Sequence, residues 1–202
     1  MVRHSRQRGL TLTEIAVVLV IVGLFIGGAL KGQQMITNAK VARIESDFRN
    51  ITSAILAYQD RYGVLPGDDP AASTRFAGNW SAADNGNGNG VIAGPWNSTN
   101  NTQESRKIWK HLRGAGFLKG PVDTTSAAYQ QPAHAYGGQI GFEQGIYNLH
   151  GPVVVFGALP GTITQVLEAR GDDGVPKSGA VQGNATATAY EPARRYDLAY
   201  GF

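Results

Sequence analysis

The chain has no cysteine among its 202 residues. That excludes a disulfide framework, a thiolate nucleophile and any cysteine metal site. A loop-rich domain in an oxidising compartment must then be pinned by something else. Charge is scarce, at 16% of residues, and methionine occurs only twice. No G-x-S-x-G, P-loop or paired-cysteine motif occurs, and His4, His111, His134 and His150 show no metal-ligand spacing. No catalytic constellation follows from single Asp, Ser and His residues, so the chain does not read as an enzyme. The formal net charge is +3, and Arg3, Arg6 and Arg8 account for that excess. Beyond residue 9 the balance is zero, which leaves no general electrostatic footprint for nucleic acid.

What is abundant is glycine, 27 residues, and one long apolar run. From Leu10 to Leu30 the only polar side chains are Thr11, Thr13 and Glu14. Such a run, roughly 31 Å long as a helix, spans a bilayer. The basic residues before it place the N-terminus on the cytoplasmic side. A secretory signal peptide removed near "IGGALKG" is disfavoured by the length of the run and by Glu14. A plain single-pass anchor fits the length but leaves Glu14 unexplained, because a carboxylate in a bilayer is costly.

The stretch "RGLTLTEIAVVLVIVGLF" resembles the signal of type IV prepilins and type II secretion pseudopilins: a basic leader ending in Gly, an apolar residue, Thr-Leu-x-Glu, then a long apolar run. By that resemblance Gly9 is the last leader residue. Leu10 is the new N-terminus that prepilin peptidase exposes and N-methylates, and Glu14 is the acidic assembly residue. Leu10 departs from the family's usual Phe, and Thr13 from its commoner Ile. The resemblance implies a structural subunit that sits in the bacterial inner membrane, then enters a periplasmic or extracellular filament. Its partners would be other pilin subunits, prepilin peptidase and the inner-membrane assembly platform. A minor pilin acting as a binding module for DNA, surfaces or secreted substrates is the alternative. Glu14 would meet another chain's N-terminal amine, since opposite charges attract strongly at low dielectric and are costly alone.

Ile44, Phe48, Ile51, Ile55 and Tyr58 recur at three and four, so the helix is expected to continue to Tyr62 with one apolar stripe facing a head. Gly63 and Pro66 would end it. The implied organisation is a leader at 1–9, an assembly helix at 10–30, its amphipathic continuation at 31–62 and a head at 63–202. Gly23, Gly27, Gly28 and Gly32 suit either close helix packing or local melting.

In the head, "NTQESRKIWKHLRGAGFLKG" reads as a helix with an Asn101–Glu104 capping box. Ile108, Trp109 and Leu112 would face inward, and Arg106, Lys107, Lys110, His111 and Arg113 would form a basic outer face, either solvated or turned to an anionic partner. "GPVVVFGAL" reads as a buried strand, and "TITQVLEARG" as a helix capped by Thr162 and Gln165 and stopped by Gly171. "YDLAYGF" reads as a strand with Tyr196, Leu198, Tyr200 and Phe202 on one face, "TATAY" being its candidate partner. The expected fold is α+β, a long N-terminal helix on a small antiparallel sheet with short extra helices. That is also the pilin arrangement. "YGVLPGDDPAA", "DNGNGNGVI" and "ARGDDGVPKSGAVQG" resemble recurring pieces of large-headed pilin-like proteins.

"DNGNGNGVI" also carries the chain's candidate cofactor site. Asn85, Asn87, Asn89, Gly90 and Ile92 fall at positions 1, 3, 5, 6 and 8 of a calcium loop. The twelfth position is Trp96 rather than Glu, so Asp84 or Glu104 would supply charge, with Asp68, Asp69, Asp172 and Asp173 as other donors. An ordinary Asn-Gly turn run accounts for the same letters. Major pseudopilins use calcium where many type IV pilins use a disulfide, which is what the resemblance adds.

Overall fold

A computed structural model of the chain describes residues 11–76, 78–185 and 189–202. Helix α1 runs from Leu12 to Tyr62, 51 residues without a break, and Gly63 stops it. Gly63 donates its N–H to the Gln59 carbonyl at 2.8 Å with φ of +74°, the left-handed turn that closes a helix C-terminus. The chain divides into two compact units at Lys40/Val41. In the first, α1 has a stretch of mean hydropathy 2.4 with none of it buried, long and apolar enough to cross a membrane by length and composition.

In the second unit, α1 buries Val41, Ile44, Ile51, Ala54, Ile55 and Tyr58, which is the stripe the periodicity gave, with Phe48 packed at its edge. It lies against a four-stranded antiparallel sheet of order β1-β2-β4-β3. The strands are β1 (Ile140–Ile146), β2 (Leu149–Pro160), β3 (Val181–Gly183) and β4 (Arg195–Gly201). Alternation along the strands sorts the two faces. Ile140, Phe142, Val154, Phe156, Leu198 and Tyr200 join the main core, where the Phe48 and Tyr200 rings sit 4.8 Å apart. Val153, Val155 and Ala199 point the other way, under Trp96 and Ile146. The β2–β4 register shifts between Phe156 and Leu159, and Asp197 Oδ1 accepts the Ala158 N–H there at 2.8 Å.

Three further α-helices, α2 (Ala72–Arg75), α3 (Glu104–Gly114) and α4 (Gly161–Gly171), and two short 3-10 turns, Ala82–Asp84 and Ser126–Tyr129, are described in the unit. The fold is α+β and pilin-like, as the pattern implied. Several local expectations are corrected. Neither proposed cap pair forms: α3 begins at Glu104 after Gln103, and α4 begins at Gly161 after Pro160, both without a side-chain cap. Asn101 Oδ1 instead accepts from Arg106 Nε, and Thr164 Oγ1 donates back to the Pro160 carbonyl. "TATAY" lies largely outside the described residues, and β4 pairs with β2 and β3. The basic outer face of α3 is mostly buried, with Arg113 half-buried at its end. Arg106 and Lys107 are each 8% exposed, Lys110 1% and His111 0%.

Candidate functional site

Gly9 and Leu10, the expected cleavage pair and methylation position, lie outside the described residues. Glu14 is described, on the first turn of α1. Its Oε2 accepts hydrogen bonds from the Thr11 backbone N–H and the Thr11 hydroxyl, both at 2.8 Å. In return Thr11 Oγ1 accepts the Glu14 N–H at 3.3 Å, and the Thr11 carbonyl accepts from Ile15 N. Thr-x-x-Glu in this reciprocal arrangement is a capping box, with Thr11 as the cap and Glu14 three places on. The carboxylate sits where a helix start favours negative charge. Sequence reasoning singled out Glu14 but did not see that Thr11 holds it; the signal was the Thr-x-x-Glu spacing itself. The side chain remains exposed, on a helix whose neighbouring Leu12, Ile15, Val17 and Val18 are exposed as well.

The second constellation is the segment between α1 and α3, about forty residues with little regular structure. Its anchors are buried ionisable side chains. Asp68 is 2% exposed, and its two carboxylate oxygens accept N–H groups from the Asn-Gly run: Gly88 at 2.6 Å and Asn89 at 3.1 Å on Oδ1, Gly90 at 2.7 Å on Oδ2. The run is therefore wound around an anion, with its backbone N–H groups inward. Asn87 and Asn89 use their side-chain oxygens on the N–H two residues on, at 3.0 and 2.8 Å, the local turn that Asn favours. Asn85 Oδ1 accepts from Ser73 N at 2.8 Å. Glu104 accepts from Asn87 N and Ala93 N, each at 2.9 Å. Asp84 pairs with Lys110 Nζ at 2.7 Å and accepts from Ser81 N and the Tyr129 hydroxyl.

The five candidate calcium ligands are thus neighbours in the fold but do not converge. Asp84 faces Lys110, Glu104 faces two loop N–H groups, Asn87 and Asn89 cap local turns, and Asn85 holds the Ser73 N–H of α2. Among the described residues no group of three or more His, Cys, Asp or Glu is gathered as a metal site needs.

Helix α3 supplies the other half of these anchors. Lys107 Nζ donates to the Asn85 carbonyl at 2.6 Å. His111 bridges two loops: its Nδ1 accepts the Gly67 N–H at 2.9 Å, which leaves Nε2–H to donate to the Asp84 carbonyl at 2.8 Å. Arg113 donates to the carbonyls of Ala128 and Gln130 at 2.6 and 2.7 Å, and Arg106 to that of Ser98 at 3.1 Å. Tyr58 of α1 and Arg75 both donate to Asp69 Oδ2 at 2.8 Å, which ties α1 to α2. The electrostatics follow burial. Desolvation pulls His111 down to about 4, so it is a neutral bridge. Burial pushes Asp84 up, but the hydrogen bonds from Lys110, Tyr129 and Ser81 outweigh it and hold the carboxyl below its usual range. Lys107 is lowered by desolvation, against the pull of Glu104 and Asp84. The face that sequence reasoning gave to solvent is what pins the cysteine-free loops.

No curated protein and no solved structure matches the chain. Residues 4–30 match the family model of the prokaryotic N-terminal methylation motif. The matched span covers the basic leader, the Gly9–Leu10 junction, the Thr11–Glu14 cap and the apolar helix to Leu30. Ahead of its α+β head, the chain carries the N-terminal signal of type IV pilins and pseudopilins.

Proposed function

We propose that the chain is a structural subunit of a type IV pilus or type II secretion pseudopilus, processed after Gly9 and assembled into a filament through its N-terminal helix. The observation that carries this reading is the first half of α1. It is apolar, exposed on every side within its unit, and bears one carboxylate near its start. Such a surface needs lipid or other helices around it. In the precursor, held in the inner membrane, the Thr11 cap satisfies Glu14 within one chain. Cleavage creates a cationic amine at Leu10, and in a staggered stack the Glu14 of one subunit meets the amine of another. An ion pair at low dielectric is a stronger partner than a neutral cap, so Glu14 sets the register of assembly. The head, pinned by α3 and not by disulfides, forms the filament surface.

Co-expression with a prepilin peptidase tests the first step: the mature chain loses residues 1–9 and gains one methyl group by mass spectrometry. Glu14→Gln tests the second. Its processing is normal and filaments are absent by electron microscopy. Wild-type filament yield from Glu14→Gln, or an uncleaved leader in the wild type, overturns the reading.

A further inference from the structure

Helix α4 carries a carboxyl group that none of the above uses. Glu168 is fully buried. Its Oε2 accepts a hydrogen bond from the Tyr190 hydroxyl, and its Oε1 has no hydrogen-bond partner among the described residues. A buried carboxylate with one neutral donor is a poorly satisfied anion, whereas a buried carboxylic acid with the same donor costs far less.

The surroundings reinforce this. Tyr200 of β4 and Tyr190 bring only phenols. Asp172 and Asp173, just past the end of α4, bring negative charge, and the Tyr147 phenol of the β1–β2 turn acts on Tyr190 through space. Glu45 of α1 lies beyond Tyr200. Arg170, two residues along α4, is turned to Glu45 at 3.4 Å instead. Burial raises Glu168 to about 7, the Tyr190 hydrogen bond opposing and Asp173 and Asp172 adding to the rise.

Tyr190 is the centre of a small attachment. Its ring packs edge-on to Tyr196 at 5.0 Å, and its hydroxyl rests on Gly183, where any side chain would collide with it. Tyr196 in turn accepts the Glu191 N–H at 3.0 Å, and the Arg194 carbonyl accepts from Gly161 N at 2.8 Å. The Glu168–Tyr190 bond therefore closes residues 189–194 over α4 and over β3, one of the two edge strands of the sheet.

We propose that Glu168 and Tyr190 form a proton-operated clasp, which holds residues 189–194 on α4 and β3 when Glu168 is protonated and loosens as it ionises. A carboxyl that is neutral in the closed form and freely ionised in the open form gives up one proton on opening. Opening then rises about tenfold per pH unit between the open-state value of 4.5 and the closed-state value near 7, and levels off above it. The clasp is thus tight in mildly acidic surroundings and uncovers the Gly183 side of the β3 face towards neutral pH, while the outer N–H groups of β3 stay held by the Pro176 carbonyl and Asp172.

Hydrogen exchange of the full chain in detergent micelles, read by mass spectrometry on peptides covering 189–194 and corrected for intrinsic rates, tests this. Protection in the wild type falls about tenfold per unit from pH 5 to 7, while a β2 peptide at 153–156 does not follow. Glu168→Gln keeps the segment protected and removes the pH dependence. Tyr190→Phe lowers protection already at pH 5. A flat wild-type profile, an unchanged slope in Glu168→Gln, or wild-type protection in Tyr190→Phe overturns the clasp.

Discussion

Exchanging Glu168 for Gln will make the stability of this protein more pH-dependent. The reason is a pair of buried groups that oppose each other. His111 ionises near 6.5 in an unfolded chain and near 4 in the fold, because its site between Gly67 N and the Asp84 carbonyl is dry. Between those values the unfolded chain binds the extra proton, so stability is whole above pH 6.5 and drains as pH falls towards 4. Glu168 is displaced upward, from 4.5 to about 7. The folded chain then holds the extra proton, so stability is whole below pH 4.5 and drains as pH rises towards 7. Each slope is about 1.4 kcal/mol per pH unit, and each full displacement amounts to about 3 kcal/mol. From pH 4.5 to 6.5 the two run in opposite directions and nearly cancel. His134, also lowered by burial, leaves the wild type a shallow decline towards acid. With Gln at 168 only the histidines remain, and stability climbs by about 3 kcal/mol between pH 4.5 and 6.5. For a chain of this size that is roughly 6–12 °C in Tm. Thermal unfolding in detergent micelles, followed by circular dichroism across that range, reads it directly. A Glu168→Gln profile as flat as the wild type refutes a neutral buried His111; a wild-type slope already at 1.4 kcal/mol per unit refutes a proton on Glu168.

Other perturbations probe the remaining anchors. Lys110→Met strands Asp84, whose side chain is 3% exposed, and costs about 3–5 kcal/mol in chemical denaturation; adding Asp84→Asn recovers part of that loss, and a neutral Lys110→Met means the pair is not part of the pinning. Gly86→Ala puts a methyl group into the Asp68 backbone where the two loops cross, for a loss of about 1–3 kcal/mol in the same assay. Thr11→Val removes the hydroxyl of the cap and loosens the start of α1 by about 1 kcal/mol, seen as faster amide exchange at residues 11–15 with cleavage after Gly9 unchanged. Because Asp68, Asp84 and Glu104 already hold protein donors, millimolar calcium leaves Tm within about a degree of the calcium-free value, and a rise of several degrees would show that those bonds yield to the ion.

The parts of the fold that could be read from sequence are those written in a period. The stripe from Ile44 to Tyr58 and the alternation of Tyr196, Leu198 and Tyr200 each declare a buried face and are buried on it, and the continuous apolar run Val153–Phe156 is buried on both faces; Phe202, expected on the face of Tyr200, lies past the end of β4 and is 39% exposed. Strand β1 escaped notice because Gly141, Glu143, Gln144 and Gly145 interrupt its apolar residues. The glycine is there for a reason the strand itself does not contain: the Trp96 ring lies on Gly141 and Gly157, and that contact is long-range. The error on α3 has the same root. A helix face of Arg, Lys and His reads as solvated because isolated charges are costly to bury, and that rule assumes no partners. Here the partners are carbonyls and carboxylates of loops remote in sequence: Asn85 for Lys107, Asp84 for Lys110 and His111, Ala128 and Gln130 for Arg113. Two features pointed towards them, a forty-residue segment with little regular structure and a chain with no cysteine to hold it. A segment of that length stays ordered only if its backbone polar groups are satisfied. The same logic explains the Asn-Gly run, where a spacing suited to wrapping a cation with oxygens wraps the Asp68 carboxylate with N–H groups. Alternating small residues let the backbone curl around a charge, and the sign of that charge is set by which backbone atoms turn inward. Side-chain spacing carries no record of that choice, so the run predicts a wrapped ion and leaves its polarity to the residue it wraps.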